Sequence, residues 1–136
     1  MARKVLIGPA HLADIRPVYE PILRDAGFDL VMPTQHVQMT ESQLRAVLPG
    51  CVASLAGSEP YTRAAIAEAA AAGLKVLARA GVGYDAIDVA AATEHGVVVT
   101  IAVGSNQNAV AEQAVGLIRM LAKQIVPQHL AIRAGG

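Results

Sequence analysis

A single cysteine, a formal charge of zero and the lack of any long uncharged apolar run are the chief absences in this 136-residue sequence. One cysteine cannot close an internal disulfide. Cys51 stands in the apolar run Cys51-Val52-Ala53-Ser54-Leu55-Ala56 and reads as a buried small residue in a reducing, cytoplasmic setting. The 11 basic residues are matched by 11 acidic ones. No long-range field then draws the chain to nucleic acid or anionic lipid, and a small-molecule partner is expected. Glu112 and Arg119 interrupt the longest apolar stretch, so nothing approaches the roughly 18 residues of a membrane span. After the basic start, Val5-Leu6-Ile7-Gly8-Pro9 is too short and too soon broken for a signal sequence; it reads as a first strand, and the chain as soluble. His11, His36, His95 and His129 are scattered without metal-ligand spacing, so no metal site is expected and surface or capping roles are assigned to them.

What is present is a chain with 54% apolar and 16% charged residues, the balance of one compact domain. Short apolar runs bounded by glycine or proline alternate with longer helical patterns, which is the signature of parallel strands joined by crossover helices. Strands are predicted at Lys4 to Gly8, Phe28 to Met32, Cys51 to Ala56, Leu74 to Ala80 and Val97 to Thr100. Each is apolar enough that both faces of the sheet should be covered. Helices are predicted at Asp14 to Ala26, Thr40 to Leu48, Thr62 to Ala72 and Asp88 to His95, with Gly27, Gly50, Gly73 and Gly96 placed as left-handed caps. The pattern predicts an α/β fold, a flavodoxin-like doubly wound parallel five-stranded sheet. A last long helix is predicted over Asn106 to Val126. Its apolar stripe of Val110, Ala111, Ala114, Val115, Ile118, Leu121, Ala122 and Ile125 is widened by Leu117 and Met120, which leaves only Glu112, Gly116, Arg119 and Lys123 for solvent. Such a helix either packs between two bodies or docks wholly on its own sheet.

The stretch Arg79-Ala80-Gly81-Val82-Gly83-Tyr84-Asp85-Ala86-Ile87-Asp88 forms a tight turn after the fourth strand. Glycines at 81 and 83 let backbone approach a ligand, and free amides at a helix start attract carboxylate or phosphate. The turn also lies where open α/β sheets bind ligands. Spacing alone leaves two readings open, an anion site or a turn whose glycines only permit the backbone path. As a dinucleotide fingerprint, Gly81-x-Gly83-x-x-Ala86 lacks its acid: about 20 residues on stand Thr100, Ile101 and Ala102. No arginine for a 2′-phosphate follows before Arg119.

The run Leu74-Lys75-Val76-Leu77-Ala78-Arg79-Ala80-Gly81-Val82-Gly83-Tyr84-Asp85-Ala86-Ile87-Asp88, then Ala91-Ala92, His95-Gly96-Val97-Val98-Val99 and Gly104-Ser105-Asn106-Gln107-Asn108-Ala109-Val110-Ala111-Glu112, resembles the D-isomer-specific 2-hydroxyacid dehydrogenases. Gly57-Ser58-Glu59-Pro60-Tyr61-Thr62 resembles the segment after their third strand. The resemblance implies a substrate-binding domain at 1–104, with 105–136 a long interdomain helix and the start of a crossover to a Rossmann NAD-binding domain outside this sequence. It implies that the amides of Val82 and Gly83, with Gly81, hold the substrate carboxylate, and that Val82 lies near the nicotinamide of NAD or NADP. Asn106 would add a hydrogen bond to substrate, and Gly57 and Ser58 would line the pocket at the substrate's variable end; the plainer readings are that Ser105 and Asn106 cap the last helix and Ser58 the helix before it. The family's arginine, histidine and glutamate of hydride transfer have no counterpart here. The chain alone is therefore expected to bind no cofactor tightly and to be inactive. Two departures stand out: Ile101-Ala102-Val103-Gly104 replaces the usual Asn-Thr-Pro-Gly, and Ala56 stands where members acting on phosphorylated substrates carry arginine, so no phosphorylated substrate is expected. The last helix, lacking its partner domain, should drive self-association into a homo-oligomer. The alternative is a stand-alone, non-catalytic metabolite-binding module; a receiver domain would want acids where Pro9-Ala10 and Gly57-Ser58 stand.

Overall fold

The computed structural model describes residues 3–33 and 37–135; Met1, Ala2, His36 and Gly136 lie outside the described residues, as do Thr34 and Gln35. The chain divides into two compact units, Met1–Val103 and Gly104–Gly136.

The first unit is a sheet of five parallel strands: β1 (Arg3–Ile7), β2 (Phe28–Val31), β3 (Cys51–Ala56), β4 (Val76–Arg79) and β5 (Val98–Ile101). Their order is β2-β1-β3-β4-β5, the flavodoxin-type order. The direction of winding reverses between β1 and β3. Among the described residues four helices link the strands: α1 (Arg16–Asp25), α2 (Glu41–Val47), α3 (Arg63–Ala71) and α4 (Val89–Glu94), with a short 3-10 turn at Ala10–Ala13. Threonine starts two of them. Thr40 accepts from the Gln43 amide while the Gln43 side chain accepts from the Thr40 amide, and Thr62 accepts from the Ala65 amide. Thr62, rather than Ser58, is thus the cap of α3. Gly27, Gly50, Gly73 and Gly96 all take positive φ just beyond helix ends, as their spacing predicts.

With right-handed crossovers, α2, α3 and α4 fall on one face of the sheet and α1 on the other. The first face is well filled: Leu6, Leu44, Leu48, Ile66, Leu74 and Leu77 are fully buried in one cluster with Tyr61 and Cys51. The second is covered in part only, contrary to the expectation of a fully enclosed sheet. Helix α1 packs along β2 and contributes no buried residue, while Val98 on β5 is 57% exposed. One helix cannot span five strands.

The second unit holds α5 (Gln107–Ala122) and α6 (Ile125–Arg133). A single helix over Asn106 to Val126 was expected; instead the chain breaks at Lys123 and Gln124, where Gln124 has φ 50. Pro127 supplies the physical reason. It has no amide to donate to the carbonyl of Lys123 and its ring would press on that carbonyl in a continuing helix, whereas in the first turn of a new helix neither matters. No residue of α5 or α6 is buried. Among the described residues no helix is long and apolar enough to cross a membrane.

Candidate functional site

Parallel strands end together, so the loops after β1, β3 and β4 converge on one edge of the sheet beside the reversal of winding. There they enclose a cavity of about 400 Å³ lined by Pro9, Ala10, His11, Gln38, Gly57, Ser58, Glu59, Arg79 and Ala80. A second depression of about 470 Å³ shares Gln38 and Ser58 and is lined further by Arg63, Asp85 and Asp88. Gln38 ties the two together by donating its side-chain amide to the Ser58 carbonyl.

The glycine turn follows directly from the Arg79 and Ala80 wall. The Ala80 amide still donates to the Ala56 carbonyl at 2.8 Å, continuing the ladder, and the Gly81 amide is spent on the Arg79 carbonyl at 2.8 Å. Gly81 has φ 153, and a Cβ there would lie 2.7 Å from Arg79 Nη1. The missing side chain lets the guanidinium lie back over the turn, where Nη1 donates to the Ala80 carbonyl at 2.7 Å. The amides of Val82 and Gly83 have no hydrogen-bond partner among the described residues, and both residues are exposed. Two free amides beside a guanidinium form an anion-accepting edge.

The helix after the turn does not contribute to that edge. It begins only at Val89, and the Asp88 carboxylate already caps it, accepting from the Ala91 amide at 2.8 Å. The helix start predicted at Asp88 is thus borne out, several residues beyond the glycines. It also bears on the dinucleotide reading: a pyrophosphate would meet the Asp88 carboxylate where a Rossmann site offers a bare helix end, and Ile101 closes β5 where the ribose-binding acid should stand. The turn does not fit a dinucleotide phosphate.

Tyr61 holds the two loops in register. Its amide donates to the Ala86 carbonyl at 2.8 Å and its carbonyl accepts from the Asp88 amide at 3.0 Å, a one-residue parallel bridge between the loop after β3 and the glycine turn. Its ring is fully buried, and its hydroxyl meets Ser54 Oγ at 2.8 Å, which in turn reaches the Leu6 carbonyl at 3.3 Å. Burial pushes the phenol above its ordinary pKa, with the Ser54 hydrogen bond opposing.

Of the residues singled out in the sequence, Gly57 and Ser58 line the cavity, while Gly81, Val82 and Gly83 continue from its Arg79 and Ala80 wall. Asn106 belongs to the second unit, at the head of α5, and its side chain makes no capping bond. Four cavity residues with polar or charged side chains were not singled out: Gln38, Glu59, Arg79 and His11, the last assigned a surface role. Arg79 had a signal, since it opens the glycine motif. Glu59 stands in the quoted segment Gly57 to Thr62, but nothing there marks its burial; Gln38 and His11 had no signal, because only the convergence of loops distant in sequence brings them to the cavity.

A family model described as the catalytic domain of D-isomer specific 2-hydroxyacid dehydrogenases matches residues 10–124. D-3-phosphoglycerate dehydrogenase of Homo sapiens is 34% identical over 134 residues, covering 98% of this chain and 24% of that protein. A chloroplastic D-3-phosphoglycerate dehydrogenase of Arabidopsis thaliana is 44% identical over 68 residues, 50% of this chain and 11% of that one. The crystal structure of NAD-dependent formate dehydrogenase from Staphylococcus aureus, in complex with NAD, superposes with a TM-score of 0.75 at 26% identity, over 94% of this chain and 40% of that one. The chain thus spans about a quarter of the length of its human relative. By its strand order, its glycine turn and these matches, the chain belongs to the D-isomer specific 2-hydroxyacid dehydrogenase family, within its catalytic domain.

Proposed function

We propose that this chain is the substrate-binding part of an NAD-dependent oxidoreductase that interconverts a small D-2-hydroxy acid and its 2-oxo acid. Residues 1–104 bind substrate, and 105–136 lead to a Rossmann domain supplied outside this sequence. The reading is carried by the two unpartnered amides of Val82 and Gly83 at the carboxyl end of β4, beside the Arg79 guanidinium. A carboxylate presents two acceptor oxygens and suits adjacent N–H donors with a cation nearby. Gly57 and Ser58 then face the far end of the substrate.

The chain's own part in the reaction is binding and orientation. NAD, held by the Rossmann domain, would supply the hydride acceptor, and Val82, whose side chain is exposed, would meet its nicotinamide. The acid/base histidine and the carbonyl-polarising arginine of the family come from that domain as well, so the chain alone binds a 2-hydroxy acid weakly and does not turn over. A nitrogen-15 NMR titration with D-lactate and pyruvate tests the site: the Val82 and Gly83 amide signals are expected to move first, and movement confined to other residues would overturn it. NADH oxidation by the purified chain with pyruvate, above a no-enzyme control, would overturn the division of labour.

A further inference from the structure

The loop after β3 carries a second carboxylate-sized group that belongs to the protein itself. Glu59 is only 2% exposed, yet it lines the same cavity as Arg79 and Ser58. Its Oε2 accepts from the Gly57 amide at 2.7 Å. Two glycines make the space: a Cβ on Gly57 would lie 2.8 Å from Oε1 and 2.9 Å from Oε2, and a Cβ on Gly8 would lie 2.8 Å from Oε2. No cationic side chain is ion-paired with it among the described residues. An ionised carboxylate is an acceptor with about four lone-pair positions. Here one protein donor occupies one of them, and a buried carboxylate left short of donors is costly. The site is shaped around the group and leaves its remaining acceptors to whatever enters the cavity.

We propose that Glu59 sets substrate specificity: this end of the pocket takes a 2-hydroxy or 2-oxo acid whose far carbon bears a hydrogen-bond donor, such as a hydroxyl, and rejects one bearing a phosphate. The proposal rests on the carboxylate-site reading above. The Gly57 amide, which could otherwise receive an anion at the far end of the substrate, is already taken by Glu59. A phosphate there would also sit beside a desolvated like charge, the kind of juxtaposition that discriminates strongly against the wrong partner. A hydroxyl donates to that charge instead. The curated relatives are named for a phosphorylated acid, so the proposal separates this chain from them by substrate.

The test is NMR titration of the 136-residue chain with D-lactate, D-glycerate and 3-phospho-D-glycerate, repeated with Glu59→Gln, which keeps the shape and an acceptor for the Gly57 amide. For the wild type, D-glycerate is expected to bind tightest and the phosphorylated acid weakest. Glu59→Gln should raise affinity for 3-phospho-D-glycerate relative to D-glycerate by roughly tenfold or more. An unchanged ratio, with the Val82 and Gly83 signals still responding, overturns the role of Glu59 and leaves the carboxylate site standing. Absence of any response at Val82 and Gly83 to all three acids overturns both. Should Glu59→Gln not fold, the wild-type order decides: tighter binding of the phosphorylated acid than of D-glycerate sinks the proposal.

Discussion

The Tyr61 hydroxyl lies in the core, yet it supports the site by fixing the one residue that bridges the loop after β3 to the glycine turn. Replacing it by phenylalanine removes a buried hydroxyl bonded to Ser54 while Ser54 keeps its contact with the Leu6 carbonyl. Tyr61→Phe is therefore expected to lower stability by about 1–2 kcal/mol, seen as a lower urea midpoint at unchanged m-value. The backbone bridge does not depend on the hydroxyl, so the Val82 and Gly83 amides should keep their chemical shifts; displaced shifts would mean that the hydroxyl also sets the geometry of the turn. The same scale shows where the sequence is mute. In Gly57-Ser58-Glu59-Pro60 a glutamate between a serine and a proline reads as a solvated loop charge, and Gly8, from a different strand end, joins Gly57 in making the room that buries it. Glycine spacing around 81–83 was legible, since a turn after an apolar strand needs local residues alone.

Among the elements, α1 offers a clean electrostatic prediction. Arg16, Glu20 and Arg24 are spaced one turn apart, and Glu20 accepts from Arg16 Nε at 2.5 Å and from Arg24 Nε at 2.8 Å. The hydrogen bonds from Arg16 and then Arg24 hold its carboxyl pKa down to about 2, from an ordinary 4.5. A carboxyl depressed on folding stabilises the folded chain at pH above its unfolded value, and this contribution is lost as pH falls from 4.5 through about 2. The pair is on the surface, so the contribution is small and falls with salt. Carbon-13 titration of the Glu20 carboxyl should give a midpoint near 2, returning toward the ordinary range in an Arg16→Ala, Arg24→Ala double variant; a wild-type midpoint near 4.5 would contradict it. The type and order of the strands and of the first four helices were readable because hydrophobic period and glycine caps agree at each of them. Element ends were less so: the fourth strand is Val76–Arg79 rather than Leu74 to Ala80, and the first helix starts only at Arg16 because a 3-10 turn precedes it. The break before α6 had a visible cause in Pro127. It was outweighed by an apolar pattern that runs on through Ile125 and Val126 with nearly unbroken helical period.

For the whole molecule, the balance of buried and exposed apolar surface makes the last prediction. The unit Met1–Val103 has a filled core on one face of its sheet, but in Gly104–Gly136 the apolar residues of both helices face water: Leu121 is 79% exposed, Ile132 71% and Ile118 65%. Apolar area in contact with water costs about 25 cal/mol per Å², and a contiguous patch beyond a few hundred Å² is unusual on a monomer. Two helices with no buried residue also lack the tertiary packing that supplies most helical stability in proteins. With the chain by itself, a second copy is expected to cover this surface, because a self-complementary contact through α5 would close as a symmetric pair. Light scattering at micromolar concentration is accordingly expected to give a mass above that of the 14.0 kDa chain, and Ile118→Glu with Leu121→Glu, placed on the exposed stripe, to return it to monomer with the sheet unit intact by circular dichroism. A wild-type monomer at that concentration would refute self-association. Association that survives the double substitution would move the contact to Ile15, Val18 and Ile22, the exposed apolar residues in and just before α1.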